Sequence, residues 1–174
     1  MHFNGMAWWE NKPEGYWWRM GAIGDMIASK SFIKTMEQKF GRIPEIVEGH
    51  PPLFTKVRPV ANFDDEARHM DFVAVEKDKN LDYNVLAIAE VKSNVNKKKK
   101  EFKLNGLSPR YLKAAIEKGI PVYAIIVRFQ SPLPDDIVDE KGATRAYMEH
   151  RETTIVEVHA PGTFEIVDDT LVLK

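Results

Sequence analysis

Hydrophobic positions along the chain fall into blocks of different period. From Arg19 to Phe40, Ala28, Phe32, Met36 and Phe40 recur every four residues, with Ile23, Met26, Ile27 and Ile33 in the adjoining rows. This spacing predicts an amphipathic helix stopped by Gly41. Residues 42–70 lose the period: Pro44, Pro51, Pro52 and Pro59 interrupt Ile46-Val47 and Leu53-Phe54. One or two short edge strands are expected there, then a polar loop from Asn62 to Arg68. Asp71 to Val75 and Tyr83 to Val91 are apolar runs around the charged turn Glu76 to Asp82, the pattern of an antiparallel hairpin.

Beyond the hairpin the signals are local. Ser108 as a cap, Pro109 at the first helical position and Gly119 as a stop frame a short helix with Leu112, Ala115 and Ile116 on its apolar face. Val122 to Phe129 is continuously apolar and too short for a helix, so it reads as a buried strand. Strand, crossover helix and strand make a βαβ unit, so the Val122 strand should run parallel to the strand that carries Glu90. Thr153 to His159 and Thr163 to Leu173 predict further strands, the latter turning at Asp168-Asp169.

The strand period of two places Glu90 and Lys92 on one face. The hairpin returns Glu90 to the start of the preceding strand, where Asp71 stands. Two acids beside a cation suit phosphodiester hydrolysis. Carboxylates can hold a hard divalent cation, Mg²⁺ or Mn²⁺, with the Val91 carbonyl as a further oxygen. Lys92 can offset developing charge or position the attacking water. Upstream, Gly21-Ala22-Ile23-Gly24-Asp25 sets two glycines into the first helix, a cost of about 1 kcal/mol each that points to close backbone approach. Asp25 edges the apolar stripe, either reaching into a shared site or sitting as a first-turn acid favoured by the helix dipole.

Charge sharpens this picture locally and not globally. The 174 residues, enough for one domain, carry 25 basic and 26 acidic side chains. Residues 92–118, however, hold nine Lys or Arg against two Glu, a net of +7, whereas residues 132–174 hold ten acids against four bases, a net of −6. Lys97, Lys98, Lys99, Lys100, Lys103, Arg110 and Lys113 are the candidate phosphate-backbone contacts, the last two on the first turns of a helix. The acidic tail would face away from nucleic acid. His69 beside Asp71 is a candidate extra base or a packed or solvated histidine, while His50, His150 and His159 have no metal-ligand spacing.

No cysteine is present, which excludes disulfides, thiolate metal sites and thiol catalysis. There is no P-loop and no G-x-S-x-G, so nucleoside-triphosphatase and serine-hydrolase readings lack support. No apolar segment reaches a membrane span, and no signal peptide opens the chain, which makes a cytoplasmic protein the expectation. All four tryptophans lie in residues 1–18, around the turn-like Asn11-Lys12-Pro13-Glu14-Gly15. Such an arm either packs its aromatics on the domain or offers a surface for base stacking or self-association.

Asp71 followed by Glu90-Val91-Lys92 resembles the PD-(D/E)XK nuclease superfamily, the restriction-endonuclease-like and Holliday-junction-resolvase-like proteins. Gly21-Ala22-Ile23-Gly24-Asp25 is similar to the glycine-flanked acid of that family's first core helix, with Asp for the commoner Glu, and Met70 stands where the motif has proline. The resemblance covers residues 19–130. It implies an α/β fold with a restriction-endonuclease-like core: a mixed central β-sheet flanked by helices in αβββαβ order, here with extra C-terminal strands. Residues 1–18 would then be an aromatic N-terminal arm and residues 131–174 an acidic C-terminal extension. The implied activity is Mg²⁺- or Mn²⁺-dependent hydrolysis of DNA phosphodiester bonds by an endonuclease, with Asp71, Glu90, Lys92 and Asp25 as site residues. Relatives of this fold commonly work as dimers, which points to a homodimer. The rival reading is a non-catalytic nucleic-acid-binding or protein-interaction module.

Overall fold

The computed structural model describes residues 7–48, 70–77, 79–80, 83–95 and 97–174. His50, the Leu53-Phe54 piece, the expected loop over Asn62 to Arg68, and His69 lie outside the described residues. The chain is α/β, with a mixed central sheet and, among the described residues, three helices.

The first helix, α1, runs Tyr16–Phe40. It begins earlier than its periodic stripe suggests. Gly15, at φ 84°, turns the chain directly into the helix, so Tyr16, Trp17 and Trp18 belong to its first turn and not to an arm. Tyr16 is fully buried, and its hydroxyl donates to the Leu133 carbonyl at 2.6 Å. Burial first, then the charge of Asp135, pushes that phenol up to about 12, so it remains a donor at any physiological pH. Ala28, Phe32 and Met36 are buried on the predicted stripe.

Strands β1 (Glu45–Glu48), β2 (Phe72–Lys77) and β3 (Tyr83–Val95) form an antiparallel meander, with β1 at the sheet edge. Short β4 (Glu101–Lys103) and helix α2 (Ser108–Glu117) lead to β5 (Val122–Phe129), which pairs parallel to β3. A turn of 3-10 helix at Asp135–Val138 precedes helix α3 (Glu140–His150). Strand β6 (Ile155–His159) completes, among the described residues, a five-stranded sheet in the order β1-β2-β3-β5-β6. Strands β7 (Phe164–Val167) and β8 (Thr170–Leu173) join β4 in a second sheet, ordered β4-β8-β7.

Each face of the central sheet has its own core. Phe72, Ala74, Ala87, Ala89 and Ile125 pack with α1 and α3. Val73, Val75, Ile88, Ala124 and Ile126 pack with α2 and the small sheet, through Leu112, Phe102 and Leu171. The alternation of these sets along β2, β3 and β5 is the period of a strand buried on both faces.

Several expectations are corrected. Strand β3 continues four residues past Val91, because β5 stays in parallel register with it as far as Val95 opposite Phe129. Ser108 opens α2 without capping it: the chain has already turned at Gly106, φ 56°, and Leu107 takes the cap position with no side-chain bond. Ile116 is 45% exposed, so Leu112 and Ala115 alone form the buried face of α2. Helix α3 and strand β4 have no counterpart in the sequence reading.

Candidate active site

Asp71 immediately precedes β2, and Glu90 lies within β3. Because Phe72 pairs with Ala89, the antiparallel register sets Asp71 beside Glu90. Both are buried, Asp71 at 8% exposure and Glu90 at 5%. Asp71 Oδ2 accepts a hydrogen bond from the Val91 N–H at 2.7 Å, which orients this carboxyl toward β3. The Asp71 and Glu90 side chains are also hydrogen-bonded to one another. Glu90 Oε2 is buried without a partner. Ile88 packs toward the α2 side, and the alternate positions Glu90 and Lys92 follow on the same face. Lys92 is partly buried.

The electrostatics tie two further acids to this pair. Burial raises Glu90 well above the ordinary carboxylate range; Asp71 and Asp25 push it the same way and Lys92 opposes them. Asp25 is likewise raised, by burial first, then by Asp71 and Glu48, again with Lys92 opposing. Asp25 therefore stands within the site, which excludes the reading as a mere first-turn acid: it is the tenth residue of α1. Glu48, the last residue of β1, is pushed up to about 6 by burial and by Asp71. The sequence reading missed Glu48. The available signal was an acid closing the Ile46-Val47 piece on the way to Asp71.

Gly24 explains how Asp25 arrives there. A Cβ at Gly24 would run into Ser93 Oγ, with Ser93 Cβ 3.3 Å away. Glycine lets α1 close on β3 beside the acids, as the glycine pair suggested. At Gly21 nothing lies within 4 Å, so that glycine has another setting: it lines the cavities above the acids.

Two cavities meet over the site, one of about 980 Å³ and one of about 450 Å³, sharing Trp17, Asp25 and Lys92. The smaller reaches Asp71 and Glu90. The larger carries Lys97, Lys98 and Lys99 on its wall. Lys100 lines a separate hollow with Arg128 and Glu157. Lys103 projects from β4, and Arg110 and Lys113 are exposed on α2; none of these three lines the cavities over the acids. The predicted basic set is thus divided, with Lys97, Lys98 and Lys99 brought to the site.

The donor chemistry suits a hard divalent cation: oxygen ligands, crowded acids that resist ionisation together, and an orphaned buried Glu90 oxygen. As arranged, no three acidic or histidine side chains among the described residues stand at metal-holding spacing. No described helix is long and apolar enough to cross a membrane. Compared with protein-family models, curated proteins and solved structures, the chain gives no match.

Proposed function

We propose that the chain is a metal-dependent nuclease hydrolysing phosphodiester bonds in DNA, on a restriction-endonuclease-like core spanning residues 19–130. The observation that carries this reading is the meeting of Asp71, Glu90 and Lys92 at the pairing of β2 with β3, with an unpartnered buried oxygen on Glu90. The order α1-β1-β2-β3-β4-α2-β5 is compatible with it: β4 belongs to the second sheet, and the central-sheet strands and helices that remain follow an αβββαβ order.

Asp71 and Glu90 would hold Mg²⁺ or Mn²⁺, with Asp25 as third acid and the Val91 carbonyl beside them. Such an ion supplies Lewis acidity toward a phosphate oxygen and makes water nucleophilic near neutral pH. The chain's own residues set the frame. The Val91 N–H holds the Asp71 carboxyl in place. Lys92 offsets the acids before substrate arrives and meets the charge developing on the phosphate. Lys97, Lys98 and Lys99 contact the strand's phosphates along the cavity wall.

The test is cleavage of plasmid, flap, junction and single-stranded DNA in Mg²⁺, Mn²⁺ or chelator. Product should require the metal. Asp71→Ala, Glu90→Ala and Lys92→Ala should each cost about 100-fold or more in rate, as loss of a group that stabilises transition-state charge does. Full activity in any one of them overturns the mechanism. Asp25→Ala should weaken cleavage less, and wild-type turnover there makes Asp25 a structural acid.

One observation favours a second reading, a non-catalytic nucleic-acid-binding module: no three of the described acids stand ready as a ligand cage. DNA binding with no product on any substrate in either metal selects it.

A further inference from the structure

We propose that the tryptophans near the start of the chain and the lysine segment after β3 form one binding site for an unpaired stretch of nucleic-acid strand. Strands would thus enter the acid cluster through a single-stranded portion, as in a flap, a frayed end or a free strand. The inference takes its ligand class from the nuclease reading and narrows it.

Trp8, Trp9 and Trp17 line the larger cavity together with Lys97, Lys98 and Lys99, and Asp25 and Lys92 line it as well. Its volume of about 980 Å³ lies at the upper end of the range for small-molecule sites. Trp9 is 46% and Trp17 50% exposed, an unusual outlay of large aromatics on a surface. Trp8 stands edge-on to Trp9 at 6.0 Å and tilted against Trp17 at 5.7 Å, so the rings brace one another. The ammonium of Lys97 sits 5.0 Å from the centre of the Trp9 ring, bringing a phosphate-binding charge to a stacking face.

The lysines are displayed on a fastened backbone. Arg128 donates to the Lys97 carbonyl at 2.6 Å and to the Lys99 carbonyl at 2.9 Å, and is itself held by Glu157 at 2.7 Å. Asn94 donates to the Lys97 carbonyl at 3.0 Å, while its buried Oδ1 has no partner. Asn94 also lines the cavity, so a side chain that fastens the lysine backbone stands in the same wall as the tryptophans and the cations.

These three features select the occupant. Stacking faces beside a cationic track are what sequence-tolerant binding of a single strand requires. A duplex keeps its bases stacked inside and offers the tryptophans nothing to stack on. A second copy of this chain would bring the same lysines against themselves across a twofold axis.

The test is binding by the full chain in chelator, where no cleavage intervenes. The probes are a fluorescein-labelled oligodeoxythymidylate and a hairpin duplex of equal phosphate count, followed by anisotropy and tryptophan fluorescence. The single strand should bind more tightly and quench the tryptophans. Trp9→Ala and Trp17→Ala should each weaken single-strand binding about 5- to 100-fold. Trp9→Phe should recover most of the loss, and hairpin binding should barely move. Thermal midpoints identify a variant that fails to fold, and two variants at half-exposed positions, Trp9 and Trp17, keep the test open if one of them does. Equal loss on both probes overturns the proposal, as does no loss on either. Unchanged DNA affinity with loss of a concentration-dependent dimer also overturns it, assigning the face to a second copy. The two readings fail separately. Tryptophan-dependent single-strand binding without metal-dependent product keeps this site and removes the nuclease; cleavage with tryptophan-independent binding does the reverse.

Discussion

Glu48 illustrates what a single residue adds to the site and why its role was hard to read beforehand. It carries a negative charge against Asp71 at the end of an edge strand, and is pushed up to about 6 by burial and that neighbour. Glu48→Gln keeps the shape and removes the repulsion. In metal-free protein the change should raise the thermal midpoint by about 2 to 4 °C, the value of roughly 1 kcal/mol in a chain of this size after solvent screening. The same change should weaken Mn²⁺ binding measured by calorimetry, because a charge that favours the cation is gone. A lower midpoint with unchanged Mn²⁺ affinity would remove Glu48 from the site. Asp71, Glu90 and Lys92 were legible because a two-residue period and a short hairpin bring them together. Glu48 was not, because its place depends on β1 pairing with β2 across residues 49–69, opposite Phe72. Nothing in the local pattern encodes that pairing.

At the level of elements, the site depends on how closely α1 lies on β3. Gly24 makes that approach, with Ser93 directly against it. Gly24→Ala should lift α1, at a cost of about 1 to 3 kcal/mol for overpacking, and carry Asp25 away from Asp71 and Glu90. Ser93→Ala, which removes the hydroxyl the new methyl strikes, should restore part of both stability and metal affinity in the double variant. Additive losses in a thermal-denaturation cycle would show that the two positions do not press on one another. The helices show where sequence patterning reaches and where it stops. The main stripe of α1 was plain because Phe32 and Met36 are large. Helix α3 buries Gly142, Ala143 and Ala146, residues too small to leave an apolar period. Its start carries a cap that went unread in the sequence: Asp139 accepts from the Gly142 N–H at 2.7 Å. The first turn of α1 was hidden for another reason, since Tyr16, Trp17 and Trp18 read as an aromatic arm until Gly15 is seen to turn the chain into the helix.

For the whole molecule, the cluster of acids makes stability depend on pH in an unusual sense. Glu48, Asp25 and Glu90 all have pKa values raised on folding, so the folded chain binds more protons than the unfolded one through this range. Stability linked to them is fully present below their ordinary values and is lost as pH rises. For Glu48 the loss runs from 4.5 to about 6, and for the two more strongly raised acids it continues higher. Glu157 works the other way: its hydrogen bond from Arg128 lowers its pKa, so its contribution is present above the ordinary 4.5 and fades as pH falls through the folded value. The Glu157 side chain is 37% exposed, and solvent screening reduces its effect. Without metal, the thermal midpoint should therefore peak on the acid side and decline from about pH 5 toward pH 8. A divalent cation that binds the folded chain adds stability by mass action, most where the acids are ionised. Saturating Mn²⁺ should raise the midpoint at pH 8 and do little at pH 5, and Asp71→Ala or Glu90→Gln should flatten both curves. A metal-free midpoint that climbs steadily from pH 5 to pH 8, or one that Mn²⁺ leaves unmoved at pH 8, would show that the four acids neither repel one another nor hold a cation. The nuclease reading would then lose its physical basis before any DNA is added.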